Sequence, residues 1–299
     1  MVREVVESLR VEEGGWYVDC TLGLGGHSRA VLEANPSAQV LGVDRDPQAL
    51  AMARQALAPF GPRMRFFHAD FKEVDAWRRE LPEAPRGILA DLGMSGLQLR
   101  SHRGFSFQDR GALDMRMDPS SGPSAEEFLA GAEEGELMRA LRLYGEELHA
   151  RRIAKAILAA RSEAPITDAA RLAEIVTAAV PPHLRGKIHP ATRTFQALRI
   201  QVNRELEGLG TAIERCAGLL RPGGRIVILA YHSLEDRIVK ETFRSLARGC
   251  ICPPRLPVCA CGRKPILKLV HRRALRPSGA ETAKNPASRS ARLRAGERL

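Results

Sequence analysis

Residues 19–27 read Asp-Cys-Thr-Leu-Gly-Leu-Gly-Gly-His. An acid followed by a glycine-rich turn that opens a helix can grip a nucleotide. Glycine lets the backbone come close to a ligand, and the start of a helix presents N–H groups with no partner of their own. A second acid, Asp44, ends the next apolar run, where a carboxylate can accept both hydroxyls of a ribose. Two cofactors suit this frame. The dinucleotide fingerprint G-x-G-x-x-G, counted from Gly23, requires glycine where this chain has Ser28. S-adenosylmethionine has no pyrophosphate, so the missing glycine matters less to it. A plain tight connection would account for the glycines alone; Asp19, the 23–27 turn and Asp44 in that order favour a nucleotide-type cofactor.

Two further strand ends carry chemistry. Asp70 and Phe71 follow the third apolar run, where a polar group could read an adenine edge and a ring could cover its face. Asp91 and Ser95 follow the fourth. Ligands bind beyond the carboxyl ends of parallel strands, so Asp19, Asp44, Phe71 and Asp91 are expected to line one crevice; any one of them alone reads as an ordinary strand-end cap. Cys250, Cys252, Cys259 and Cys261 form a C-x-C-x6-C-x-C array in a proline-rich stretch. Four thiols this close could hold a structural zinc, stay reduced and free, or form a redox pair, which suits a reducing cytosol least. No His or acid is tied to the array by spacing, so no catalytic metal is expected.

The elements that must position these residues alternate regularly at first. Segments 16–20, 39–44, 64–68 and 87–92 read as strands, with helices at 27–34, 47–58 and 71–80 between them. Asp46 and Pro47 sit where an N-cap and a first-turn proline belong. Strands and helices at this spacing predict βαβ units and a parallel sheet. From 104 to 189 no strand is evident, and helices are predicted at 124–131, 133–142, 146–161 and 167–179. A long helix at 194–220, a strand at 225–231, a helix at 234–247 and short strands at 267–271 and 291–294 resume the alternation. The expectation is a doubly wound α/β domain formed by 1–105 and 190–299, with 106–189 as an inserted all-helical substrate-recognition domain.

The chain has 299 residues, 44% hydrophobic and 27% charged, with a net charge of +11. From residue 250 onward there are twelve Lys and Arg against only Glu281 and Glu297, so nearly all of the excess lies there. That asymmetry points to a polyanionic partner, nucleic acid ahead of an anionic membrane; a solvated tail is the plainer explanation. No apolar run approaches the ~20 residues of a membrane helix. The opening MVREVVESLR is too charged for a secretory signal, and six cysteines are too few for a disulfide scaffold. A soluble, cytosolic protein is expected.

The strings 17–28 (YVDCTLGLGGHS), 91–99 (DLGMSGLQL), 103–107 (RGFSF), 113–118 (LDMRMD), 144–147 (YGEE), 189–203 (HPATRTFQALRIQVN), 232–240 (HSLEDRIVK) and 285–294 closely resemble the bacterial small-subunit ribosomal RNA cytosine N4-methyltransferases of the MraW or RsmH type, in order and over nearly the whole chain. The resemblance implies a class I, Rossmann-like methyltransferase fold with an inserted helical domain and S-adenosylmethionine as donor. It implies as substrate one cytidine in the decoding region of 16S rRNA, within the small ribosomal subunit; no membrane is involved and no protein partner is deducible. Carried over by position, donor-binding residues fall on Gly25, Gly26, His27, Asp44, Phe71, Asp91 and Gln98. The chain departs from the family pattern at Gly96, Arg100, Arg110-Gly111-Ala112 and Ala287, which touches the substrate side and no donor contact.

The amine of cytosine is a weak nucleophile because its lone pair is delocalised into the ring. Alignment and a hydrogen-bond acceptor for the amine are the enzyme's tasks. No Asp/Asn-Pro-Pro-aromatic motif follows the fourth strand, so the acceptor is assigned to Asp91 and Ser95, with His232 and Ser233 as second choice. Phe105 and Phe107, flanked by Arg103 and Arg110, could stack on an unstacked base or could equally anchor the insertion. Arg116, Arg193, Arg199 and the distal arginines 272, 273, 276, 289, 292 and 294 are candidates for phosphate contacts. A non-catalytic RNA-binding or assembly factor on the same fold is the alternative; the intact glycine turn with Asp44 and Asp91 argues against it.

Overall fold

The computed structural model describes residues 1–107, 111–186, 188–253, 258 and 260–299. Arg110 and Cys259 therefore lie outside the described residues. The chain forms two compact units, Met1–Gly93 with Gly208–Leu299, and Met94–Glu207.

The first unit opens with α1 (Val2–Leu9) and continues β1 (Gly15–Asp19), α2 (Gly26–Ala34), β2 (Ala38–Asp44), α3 (Pro47–Leu57), β3 (Met64–His68), α4 (Val74–Trp77) and β4 (Gly87–Asp91). The second unit holds α5 (Gly96–Arg100), α6 (Ala125–Gly131), α7 (Glu134–Gly145), α8 (Ala150–Glu163), α9 (Ala169–Ala179) and α10 (Ala191–Asn203). The chain then returns with α11 (Leu209–Leu219), β5 (Arg225–Ala230), α12 (Ser233–Ala247), β6 (Leu267–Leu269), α13 (Gly279–Lys284) and β7 (Arg292–Arg298). The sheet order is β3-β2-β1-β4-β5-β7-β6. β1 to β5 run parallel, and β7 runs antiparallel to both its neighbours. This is the class I methyltransferase arrangement, a Rossmann-like α/β sheet interrupted by an all-helical unit.

Local chemistry explains the elements. β1 and β5 are almost wholly buried, as central parallel strands covered on both faces must be. Asp46 caps α3 by accepting from the Gln48 N–H at 3.0 Å, with Pro47 at the first helical position, where its missing N–H costs nothing. Strand order reverses at β1, which lies between β2 and β4, so the chain leaves the carboxyl ends of these strands in opposite directions and opens a crevice there.

The structure departs from the sequence expectations at several points. The single helix expected over 194–220 is two, α10 and α11, because Arg204 at φ 47° and Gly208 at φ 68° take left-handed conformations that no continuous α-helix admits. The 71–80 helix shrinks to α4 and a 3-10 turn, Arg78–Glu80. The strand at 291–294 runs on to Arg298, since Leu293 and Ala295 bury between β5 and β6. The helical unit also extends beyond 106–189 at both ends. It spans Met94–Glu207, its core takes in Phe105, Phe195 and Leu198, and Asn203 stitches the early segment to α10. The buried Asn203 Nδ2 donates to the Met115 carbonyl at 2.7 Å, and its Oδ1 accepts from the Met117 N–H at 2.7 Å.

Asn203→Ala would leave both of those backbone groups unpaired in a dry interior. It is expected to cost about 3 kcal/mol, read as a lower urea midpoint with an unchanged slope.

Candidate active site

The β1–α2 loop is sewn to both neighbouring strands. On one side the Gly23 N–H donates to Asp44 Oδ2 at 2.7 Å and the Leu22 N–H to the Val43 carbonyl at 3.0 Å. On the other the Asp91 N–H donates to Thr21 Oγ1 at 2.6 Å and the Cys20 N–H to the Leu89 carbonyl at 2.8 Å. Asp19, 3% exposed, does not face an opening: it accepts from Ser28 Oγ at 2.7 Å and from the Thr21 N–H at 3.3 Å. Its burial raises its pKa, against the lowering influence of His27, Ser28 and Thr21. Two glycines then serve different needs. Gly25 sits at φ +80°, and a Cβ there would meet Leu57 Cδ1 at 2.6 Å. At Gly26, in the first turn of α2, a Cβ would meet nothing within 4 Å, so the helix start is open to a ligand.

Three side chains define the electrostatics. Asp44 accepts from the Gly23 and Asp46 N–H groups, but burial outweighs those bonds and pushes its pKa up to about 6. Asp91 is held from two directions. Tyr231 Oη donates to its Oδ1 at 2.8 Å, and His27 Nε2 lies 3.3 Å from its Oδ2. Burial lowers the His27 pKa, yet the hydrogen bond and charge of Asp91 and the charge of Asp19 outweigh it, and the net shift is upward. The other ring nitrogen, Nδ1, is buried and has no partner among the described residues. Burial, then Asp91, drives the Tyr231 phenol far above its usual range, so it stays a donor.

Phe71 follows β3 beside the end of β2, placed by the Ala69 N–H donating to the Asp44 carbonyl at 3.1 Å and by Trp77 Nε1 donating to the Phe71 carbonyl at 2.9 Å. Asp70 is engaged by Arg45 at 3.3 Å and Lys72 at 3.6 Å, so an ion-paired carboxylate stands where an adenine reader was expected. His232 is the N-cap of α12, in a reciprocal box with Glu235; its ring and Ser233 belong to a helix start. Among the described residues Tyr231 is the member of the site that sequence reasoning missed. The signal was its place: it leaves β5 two positions after Leu229, the register partner of Asp91.

In the helical unit, Ser95 and Gln98 cap α5. Ser95 Oγ accepts from the Gln98 N–H at 3.2 Å, and Gln98 Oε1 accepts from the Ser95 N–H at 2.9 Å. Arg103 donates to the Arg116 and Met117 carbonyls, both at 3.2 Å, and its guanidinium lies 5.8 Å from the ring centroid of Phe105, which is in the core. Phe107 stacks on His189 at 4.4 Å and meets Phe195 edge-on. Arg116 pairs with Asp114 at 2.6 Å, Arg199 forks onto Glu205 with two 2.8 Å bonds, and Arg193 donates to the Glu146 carbonyl at 3.2 Å. Each of these candidate RNA contacts has an intramolecular partner.

A model of the MraW methylase family matches residues 1–299. The chain belongs to the MraW methylase family. Relatives named Ribosomal RNA small subunit methyltransferase H include one from Syntrophotalea carbinolica, 49% identical over 100% of this chain and 96% of that protein. Another, from Thermomicrobium roseum, is 49% identical over 97% and 90%. Among solved structures, an rRNA methylase from Streptococcus thermophilus is 12% identical, covering 100% of this chain and 96% of that one, with a TM-score of 0.42. As an MraW methylase this chain is a methyltransferase, and its donor is S-adenosylmethionine. The residues fit that group: the start of α2 is open over Gly26, His27 keeps an unpartnered Nδ1, and the Asp44 carboxylate retains lone pairs beyond the two N–H bonds it accepts.

Ribose hydroxyls donate to an ionised carboxylate, whereas protonated Asp44 has lost charge and acceptor capacity. With the Asp44 pKa of the free site at about 6, donor affinity is expected to weaken about tenfold per unit as the pH falls below that value. Asp44→Asn is expected to bind weakly with no such slope, both measured by calorimetric titration.

Proposed function

We propose that this MraW methylase transfers a methyl group to the exocyclic N4 of one cytidine in the decoding region of 16S rRNA, within the small ribosomal subunit. The relatives' names support rRNA as the substrate class. The observation that carries the chemistry is Asp91, fixed at the carboxyl end of β4 by Tyr231 and His27 beside the glycine turn.

Bound S-adenosylmethionine supplies a methyl group already activated on sulfonium. Gly25, Gly26, His27, Asp44 and Phe71 hold and orient it, which removes the entropic cost of aligning two reactants. Asp91 accepts a hydrogen bond from the amine, localises the nitrogen lone pair and takes the proton the amine loses on methylation. Tyr231 Oη keeps one carboxylate oxygen occupied, so the acceptor has a single orientation. His27, with its raised pKa, offsets negative charge at Asp91. Ser95, the other acceptor assigned from the sequence, already accepts from the Gln98 N–H.

RNA binding rests on the sheet unit's basic cavity. Lys240 and Arg244 of α12 and Arg272, Arg273 and Arg276 line a hollow of about 450 Å³ beside β6 and β7. These five cations have no hydrogen-bond or ion-pair partner among the described residues. Two arginines expected to meet phosphate do not share that freedom: Arg292 and Arg294 are bound to the buried Asp236 at 2.6 and 2.7 Å. They brace the cavity wall and leave the phosphate contacts to the unpaired cations.

Three measurements test this reading. With small subunits or 16S rRNA lacking the modification as acceptor, mass spectrometry should place the added methyl on N4 of a single cytidine; a methyl on ring carbon or ribose refutes it. At saturating donor, Asp91→Ala should lower turnover by about 10²–10⁴-fold, and near-normal turnover would remove Asp91 from its role. RNA affinity should fall steeply with salt, and replacing Arg272, Arg273 and Arg276 together by glutamine should reduce the log–log slope by about 3.

A further inference from the structure

The connection between α12 and β6 carries side chains that methyl transfer does not use. The sulfur atoms of Cys250, Cys252 and Cys261 all lie within 4.8 Å of one another, and those of Cys250 and Cys261 are 3.8 Å apart. That separation is too long for a disulfide and matches the edge of a zinc tetrahedron: bonds of about 2.3 Å at tetrahedral angles put two sulfurs about 3.8 Å apart. The Cys252 N–H points at Cys250 Sγ at 3.4 Å, a bond that favours the thiolate over the thiol. Gly262, directly after Cys261, takes φ +59°, which turns the chain sharply behind that ligand.

The surroundings do not explain why the thiols converge. The ends of the connection are tied: the Ile266 N–H donates to the Leu246 carbonyl at 2.7 Å, and Arg263 donates to the Ser245 carbonyl and hydroxyl at 2.7 and 2.9 Å. Beyond that neck the large apolar side chains among the described residues face outward, Ile251 at 50% and Val258 at 76% exposure. Hydrophobic burial is therefore not what gathers three sulfurs at the surface, and S–H groups are weak hydrogen-bond donors.

We propose that Cys250, Cys252 and Cys261 bind a zinc ion, with Cys259 as the fourth ligand. Cys259 lies outside the described residues; its place rests on the C-x-C-x6-C-x-C sequence, which repeats at 259–261 the spacing that gathers Cys250 and Cys252. Each thiol releases its proton to solvent as it binds, and no electron transfer is involved. Thiolates select zinc over the hard cations calcium and magnesium. A closed set of four leaves no open position for substrate, so the ion is structural.

The test uses the full chain, purified reduced and without chelator. Elemental analysis should find about one zinc per chain, and Cys250→Ser with Cys261→Ser should lose it while donor affinity stays within about twofold, showing that the sheet is still folded. Cobalt(II) added to the reduced, metal-stripped protein should give thiolate-to-metal charge-transfer absorption, weaker in Cys259→Ser. A zinc-free protein that takes up no cobalt, or a mass showing the four cysteines paired as disulfides, overturns the site. An unchanged cobalt band in Cys259→Ser overturns the four-thiolate set.

Discussion

The end of β1 depends on a carboxylate that has nowhere to go but inward. Asp19 is buried at the centre of the sheet, and an ionised carboxylate out of water costs several kcal/mol unless its oxygens are satisfied. The residues that satisfy it, Thr21 and Ser28, belong to the loop and helix that follow. Folding that loop is therefore the way Asp19 is stabilised. Once the loop is closed, the Gly23 N–H reaches Asp44 and Thr21 Oγ1 receives the Asp91 N–H. One buried acid thus sets the spacing of Asp44 and Asp91 at the ends of the neighbouring strands.

The same unit separates charge by sign. Asp19, Asp44 and Asp91 gather at the carboxyl ends of β1, β2 and β4, where a positively charged methyl donor is favoured. The unpaired cations lie along α12 and the antiparallel edge formed by β6 and β7, where a polyanion is favoured. A net charge of +11 gives no hint of this arrangement, because the acidic end is nearly cancelled in the sum. A cationic cofactor and a polyanionic substrate can be held by one small unit only if their binding surfaces are kept apart in this way.

Much of the sheet was legible because parallel strands and their caps leave local marks: the apolar runs, the Asp46–Pro47 cap, the glycines after Asp19. What stayed hidden depended on partners far away in sequence. Tyr231 is an unremarked aromatic until its hydroxyl meets Asp91, 140 positions earlier. The break between α10 and α11 is invisible because the apolar spacing continues across it, and only the left-handed turn at Arg204 and Gly208 reveals it. The candidate RNA arginines show a deeper limit. A guanidinium recognises a carboxylate and a phosphate by the same fork, so residue type cannot say whether Arg199 answers to Glu205 or to a nucleic acid.

The chain's last residues illustrate how such an ambiguity resolves. Residues 292–298 look like part of a basic tail, yet β7 is inserted antiparallel between β5 and β6 with Leu293 and Ala295 buried. Its alternate side chains, Arg292 and Arg294, turn to the other face and meet Asp236 on α12. Burial alone would raise the pKa of Asp236, but the two arginines overcome that and hold it below the usual carboxylate range. Removing Asp236 would leave two partly buried guanidinium groups with nothing opposite them. The pairing therefore does more than neutralise charge. It locks α12 to β7, the two elements that wall the basic cavity, so that Lys240 and Arg244 keep a fixed position against the arginines of residues 272–276. Rigidly placed cations lose little side-chain entropy when an anion binds, and the acid that lowers the net charge of the patch is what gives it shape.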